Sequence, residues 1–417
     1  MTVSTKRTGI DESWRPLLAW GLGALFFCYA FVQRVSPSVM VGELMRDFGV
    51  GAAILGNLSA FYFYAYAGLQ IPVGLLMDRI GPRRLMTGAA AVSAGGSLIF
   101  AASDVLAGAY IGRLLIGAGA AFSWVGVLTV LTQWFPATRF ALYTGLAQAF
   151  GMAGAIFGQA PVSVAVDGLG WRATLIAVGA VGLALAGLMW LVLRDKPHAA
   201  ASSSSIGASL RVLLRNRETW LNAVFGLAMA APMLGFGGLW AVPYLTTVYG
   251  LERAAAATLI SSIFIGWGIG APLVGWLSDR VGVRKPIMVA WATVAAVSFS
   301  AVIYLPQLPL VLVAALITLH GLAASGMVLA FACVREHNPP AMSSTAMALV
   351  NVAVVGSGAI FQPLIGYLLD LQWDGRVGAG VRIYSTEAYR FAFGALAIGC
   401  VAGVFAAILM NESGRKA

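Results

Sequence analysis

Gly74-Leu75-Leu76-Met77-Asp78-Arg79-Ile80-Gly81-Pro82-Arg83-Arg84 is a short polar interruption between two long apolar runs. About 200 residues later the chain repeats it as Gly275-Trp276-Leu277-Ser278-Asp279-Arg280-Val281-Gly282-Val283-Arg284-Lys285, again between apolar runs. The shared register, G-x-x-x-D-R-x-G-x-R-[RK], divides the chain into two related halves. A second parallel supports this. Gly154-Ala155-Ile156-Phe157, followed by Gln159 and Pro161, matches Gly358-Ala359-Ile360-Phe361, followed by Gln362 and Pro363.

Of the 417 residues, 60% are hydrophobic and 10% charged. A soluble domain carries roughly 25% charge. The apolar residues here fall in runs of about 20, the length of one bilayer-spanning helix. The reading is an all-α membrane protein of twelve transmembrane helices in two pseudo-symmetric six-helix bundles. Spans are expected near 16–40, 53–77, 85–103, 106–134, 140–165 and 172–193, then 219–247, 254–278, 286–304, 309–334, 343–369 and 389–411. Residues 1–193 and 218–417 form the halves. Residues 194–217, with a serine run and Arg211, Arg215 and Arg217, form the linker; its last third is amphipathic.

With both termini inside, eighteen of the 26 basic residues and every lysine fall on the inner side. Arg46, Arg172, Arg253, Arg376, Arg382 and Arg390 fall outside, and Arg34 and Arg113 within helices. This bias places both motif copies on the cytoplasmic face and accounts for the net charge of +10 without nucleic acid. The N-terminus shows no cleavable-signal pattern, so the first apolar run is expected to remain a span. Cys28, Cys333 and Cys400 lie in apolar runs, and no disulfide framework is expected. No nucleotide motif, metal cluster or catalytic constellation is visible; the expectation is no cofactor, no metal and no enzyme.

Twelve spans in two halves, with this motif after spans 2 and 8, resemble the major facilitator superfamily. Arg113-Leu114-Leu115-Ile116-Gly117-Ala118-Gly119 in span 4 is similar to a second signature of that family. Tyr29 to Met40, with Gln33, Arg34 and Pro37, and the run Gln70-Ile71-Pro72-Val73-Gly74 resemble its anion:cation symporter branch. The resemblance implies a secondary transporter of the bacterial inner membrane, working by alternating access on a small organic anion. It also implies that the motif acts as a conformational latch through Gly74, Asp78, Arg79, Gly81 and Arg84, and through Gly275, Asp279, Arg280 and Gly282. An aspartate so placed can accept from the N-terminal amides of a neighbouring helix. The branch carries carboxylates near the first-span arginine and in span 4; this chain has Gln33, and Ser123 with Trp124, in those regions.

Arg34 is the pivotal residue. An arginine deep in a span must face a wet cavity or a partner. It therefore anchors a carboxylate of the substrate or, if span 1 ends near Pro37, reaches the interface. Gln33, Tyr29, Tyr66, Trp124, Gln148 and Asn351 are the accompanying substrate candidates, with Tyr62, Gln70, Asn222, Trp240, Tyr244, Trp267 and Gln362 as further polar or aromatic groups. All 16 carboxylates fall in loops, at helix ends or in the motifs. Proton coupling would thus fall to His320, Glu43 or Arg113, with Arg113 equally a brace between spans 4 and 1. Alternatives are a facilitator or exchanger of amino acids or short peptides, and a non-transporting membrane sensor. The expected partners are the lipid bilayer, an anionic small molecule and protons, with the chain a monomer.

Overall fold

The computed structural model describes residues 14–195, 206–305 and 308–413. Lys6, Arg7, Lys196, Arg415, Lys416 and the serine run 202–205 lie outside the described residues, as does the side chain of Asp78. The chain is nearly all helix. α1 (Arg15–Val35) passes through a 3-10 turn (Ser36–Val39) into α2 (Val41–Phe48). α3 (Ala52–Ile80), α4 (Pro82–Ala102), α5 (Leu106–Trp134), the pair α6 (Ala137–Phe157) and α7 (Ala160–Leu169), and α8 (Trp171–Val192) complete the first half. α9 (Ile206–Arg215) lies in the linker. α10 (Arg217–Ala231), a π-helix (Pro232–Trp240) and α11 (Ala241–Tyr249) form one span. α12 (Arg253–Val281), α13 (Lys285–Tyr304), α14 (Leu310–Ala324) with α15 (Val328–Glu336), α16 (Ser343–Leu371) and α17 (Thr386–Leu409) follow. A small hairpin, β1 (Val377–Gly378) with β2 (Val381–Arg382), precedes α17. Among the described residues eleven helices are long and apolar enough to cross a membrane, twelve if α2 and α3, bent by 111°, count as one span.

Four spans are less regular than expected; the tenth passes through a 3-10 turn, Ser325–Met327, between α14 and α15. α1 stops at Val35 because Pro37 supplies no N–H to continue the ladder. The fifth span breaks at Gly158-Gln159. In the seventh, Pro232 again removes a donor, and the ladder widens to π geometry over Pro232–Trp240, a stretch that contains Gly235, Gly237 and Gly238.

The two halves repeat in three dimensions. Gly117 of α5 lies against the carbonyl of Tyr62 in α3, and Gly321 of α14 lies the same way against Ile263 in α12. Tyr62 and Ile263 stand at equal distances before Gly74 and Gly275. The N–H of Arg83, opening α4, donates to Asp195 at 2.8 Å; that of Arg284, just before α13, donates to Glu412 at 2.8 Å. Each half thus uses an acid after its last span to satisfy a free amide where its third span begins.

The end of the bundle that carries both loop motifs is here called the motif face. At the far face the halves are joined. Gly56 of α3 lies against the carbonyl of Gln362, and Gly366 of α16 against that of Ala52, so α3 and α16 touch backbone to backbone. Arg253 pairs with Glu43 and, at 3.4 Å, with Asp167. Ser38 donates to Gln159 Oε1 at 3.0 Å, and Gln159 Nε2 donates to the carbonyl of Gly237 in the π-helix at 3.0 Å.

A Cβ added at Gly321 meets backbone, whereas none of the surrounding atoms lies within 4 Å of one added at Gly74. Gly321→Val is therefore expected to cost at least about 1–3 kcal/mol and to lower the Tm of the detergent-purified protein. Gly74→Ala is expected to leave it unchanged or slightly raised. Equal melting of Gly321→Val and the parent would contradict this packing.

Candidate functional site: an unpaired arginine among aromatic rings

Arg34 is the penultimate residue of α1 and is 6% exposed. Its Nε donates to the hydroxyl of Tyr62 at 3.1 Å. Its guanidinium carbon lies 4.1 Å from the ring centre of Phe31, 5.4 Å from Tyr62 and 5.1 Å from Tyr66. Helical spacing assembles this cage. Phe31 precedes Arg34 by three residues on α1, and Tyr62 and Tyr66 are one turn apart on α3. The two tyrosines stand near the middle of α3, so the arginine is held against the middle of that helix. Among the described residues no carboxylate pairs with it. Ring faces stabilise a desolvated cation by about 2 kcal/mol, but they leave its net charge in place.

The cage extends on both sides. The Phe31 ring meets Phe27 at 5.0 Å, and Phe27 meets the half-buried Trp124 of α5 at 4.9 Å. Gly151 of α6 leaves room for Phe27; a Cβ there would come within 2.6 Å of its ring. In the other direction Gln70 follows Tyr66 by one turn on α3, and its Oε1 accepts from Asn351 Nδ2 of α16 at 2.7 Å. α16 of the second half thus meets α3 one turn from the cage. Gln148 is half-buried on α6, and its buried Oε1 has no partner among the described residues.

Gln33 and Tyr29 are placed differently from the expectation. One residue along a helix rotates the side chain by about 100°, which turns Gln33 away from the cage and toward α4. There it donates to Tyr29 at 3.1 Å and bonds Ser93 and Ser97. Tyr29 packs on Gly182 of α8. Both are buried between helices of the first half.

Arg113, 1% exposed, braces α5 to two neighbours. Nη1 donates to the carbonyl of Gln33 at 2.9 Å and Nη2 to that of Ser59 at 3.1 Å. The Gln33 carbonyl would ordinarily accept from residue 37, which is proline, so Arg113 satisfies an acceptor that Pro37 leaves free. His320 lies within the second half, its Nδ1 3.0 Å from the carbonyl of Ala295 and its ring 5.4 Å from that of Phe299. Glu43 pairs with Arg253 at the far face. The three coupling candidates therefore stand apart from one another, and His320 and Glu43 stand apart from the Arg34 cage.

At the motif face, Gly81 and Gly282 have φ of +90° and +77° and make the turns that glycine permits. Gly74 and Gly275 have open space around them in this structure. Arg79, Arg84 and Arg280 are exposed, Arg280 above Trp276. Arg83 donates to the carbonyl of Trp190. Arg284 pairs with Glu336 at 2.7 Å and with the exposed Asp279 at 3.7 Å. All these contacts lie within one half or the other.

Phe31 and Phe27 were missing from the sequence reading; their spacing from Arg34 on one helical face was the available signal. Nothing in the sequence marked Asp370, described below.

The chain belongs to the Major Facilitator Superfamily, whose family model matches residues 22–361 and, overlapping, 233–417. It is 31% identical to the inner membrane transport protein YajR of Escherichia coli, over 50% of this chain and 46% of that protein. It is 24% identical to a probable sulfoacetate transporter of Cupriavidus necator, over 63% and 64% of the two chains. It is also 24% identical to the gentisate transporter of Corynebacterium glutamicum, over 91% and 87%. The chain thus spans less than two thirds of the length of the first two relatives and most of the third. Its fold is that of a solved bacterial homologue of the human lysosomal transporter Spinster, in an inward-facing and occupied conformation. The TM-score is 0.81 at 16% identity, over 95% and 97% of the chains.

Arg113→Gln removes the arginine donor from the Gln33 carbonyl, which Pro37 leaves outside the helix ladder, a loss of about 1–3 kcal/mol, and is expected to lower the Tm. Arg34→Gln removes a buried charge that has no counter-ion, and is expected to leave the Tm unchanged or higher. Thermal unfolding of the two purified variants compares them directly; a lower Tm for Arg34→Gln than for Arg113→Gln would reverse the two assignments.

Proposed function

We propose that this protein moves a small organic anion across the bacterial inner membrane by alternating access, with Arg34 holding the anionic group. The observation that carries the reading is the uncompensated charge. A guanidinium against the middle of α3 has aromatic faces and tyrosine hydroxyls around it and no carboxylate among the described residues. A carboxylate or sulfonate entering this cage completes a charge-assisted pair in a low-dielectric setting. Relatives whose names specify sulfoacetate and gentisate, both anionic, support the same class of substrate.

In this reading residues 1–193 and 218–417 are the moving halves and residues 194–217 their linker. The motif face is cytoplasmic, in keeping with the basic bias of its loops. The joined far face and the open surroundings of Gly74 and Gly275 fit a state that opens to the cytoplasm. Asn351 of the second half bonds Gln70, one turn from Tyr66 of the cage, which supports a site that closes between the halves. The distance of His320 and Glu43 from the cage favours exchange or uniport over a proton symport run through either residue.

Thermal shift against a panel of carboxylates, sulfonates and amino acids identifies ligands, since a ligand of the folded state raises its stability. Removing the charged partner is worth about 1.5–3 kcal/mol. Arg34→Ala is therefore expected to weaken the affinity for the active anion by about tenfold to a hundredfold, with no effect on a neutral analogue. Unchanged anion affinity in a folded Arg34→Ala protein would overturn the reading.

A further inference from the structure

α3 and α16 are antiparallel, of equal length at 29 residues, and in direct contact across the two halves. At the far face, Asp370 stands one residue before the end of α16. Its carboxylate accepts from the N–H of Ala52 at 3.2 Å and of Ala53 at 2.9 Å, the first two residues of α3. These amides have no partner within their own helix, and the positive end of the helix dipole adds to the attraction. Arg382, on the hairpin, and Tyr384 hold the carboxylate in place at 3.0 and 2.6 Å. The Tyr384 hydroxyl also accepts from the N–H of Ala52 at 3.0 Å. A carboxylate of one half is thus seated on the amino end of a helix of the other.

The same helix pair carries the same elements in reverse at its other end. Asp78 stands two residues before the end of α3. The pairing along the two helices runs from Ala52 beside Asp370, through Gly56 beside Gln362 and Phe63 beside Gly358, to Gln70 beside Asn351. Continued at that register, position 78 falls opposite position 343, where α16 begins.

We propose that Asp370 is the far-face counterpart of the loop-motif aspartate, so that helices α3 and α16 are latched alternately, Asp370 on the amino end of α3 in one state and Asp78 on the amino end of α16 in the other. The inference rests on the alternating-access reading above. The two latches compete. Opening the far face withdraws Asp370 from Ala52 and Ala53, and closing the motif face brings position 78 to the start of α16. Asp370 acts as a positioning residue that sets the ratio of the two states and does not touch the transported anion.

The test measures the far-face distance by electron double resonance between spin labels at Val105→Cys and Val311→Cys, in nanodiscs. Both sites are exposed, at 65% and 83%, on opposite halves. Cys28, Cys333 and Cys400 are replaced by serine in this background. Asp370→Asn is expected to raise the long-distance, far-face-open population by about tenfold. Asp78→Asn is expected to shift the ratio the opposite way, and the double variant to return it toward the parent. Ala53→Pro, which removes one amide at a position where proline fits a helix start, is expected to act as Asp370→Asn does, to a lesser degree. This variant keeps the test valid if Asp370→Asn fails to fold. A shift with Asp78→Asn but none with Asp370→Asn or Ala53→Pro overturns the far-face latch and leaves alternating access standing. A single fixed distance in every variant overturns both.

Discussion

In a hydrocarbon slab each backbone N–H and C=O must find a partner within the protein, and the irregular parts of this structure follow from that demand. Pro37 ends α1 and frees the carbonyl of Gln33, and Arg113 of the adjoining α5 donates to it. Pro232 starts the π-helix, whose Leu234 and Gly237 carbonyls accept from Gln362 and Gln159. The free amides that begin α3, α4 and α13 take Asp370, Asp195 and Glu412. In a soluble protein water would serve many of these groups. Here the polar side chains that serve them also set where one helix meets the next. Gln159 and Gln362, each just after a Gly-Ala-Ile-Phe run, converge on the π-helix Pro232–Trp240 from opposite halves.

The halves share a scaffold but not a chemistry. Tyr62 in α3 is matched by Ile263 in α12 at the same distance from the loop motif, and Tyr66 by Trp267. The glycine contact that positions Tyr62 is kept at Ile263, which has neither the ring nor the hydroxyl of Tyr62. The charge of the site therefore sits on the first half, and the second contributes Asn351 and apolar surface. Under the proposed function, such an arrangement would let one half hold the anion while the other closes over it.

Much of the architecture was legible because its signals are periodic or repeated. Apolar runs of bilayer length placed the spans, the doubled motif divided the chain, and the membrane fold follows from both. Arg34 was legible because an arginine within an apolar run has few permitted surroundings. Its neighbours were harder. Gln33 and Arg34 are adjacent in sequence but about 100° apart around the helix, so proximity in the chain misled where Phe31, three residues back, did not. Asp370 was hidden because an acid at a helix end is ordinary until the partner helix is known to start beside it. The π-helix was hidden because proline and three glycines describe a weak helix without saying which way it relaxes.

The contact between α3 and α16 has a mechanical side. Where Gly56 and Gly366 bring backbone onto backbone, there are no interlocked side chains to disengage before the helices can pivot. Interdigitated cores resist small displacements because each side chain must leave its hole before the next position is available. If the halves move as proposed, a seam with glycine at its contacts would act as a bearing, with position set by stops at either end. The pace of motion would then be governed by how firmly those stops hold, and the interior would not need to repack with each cycle.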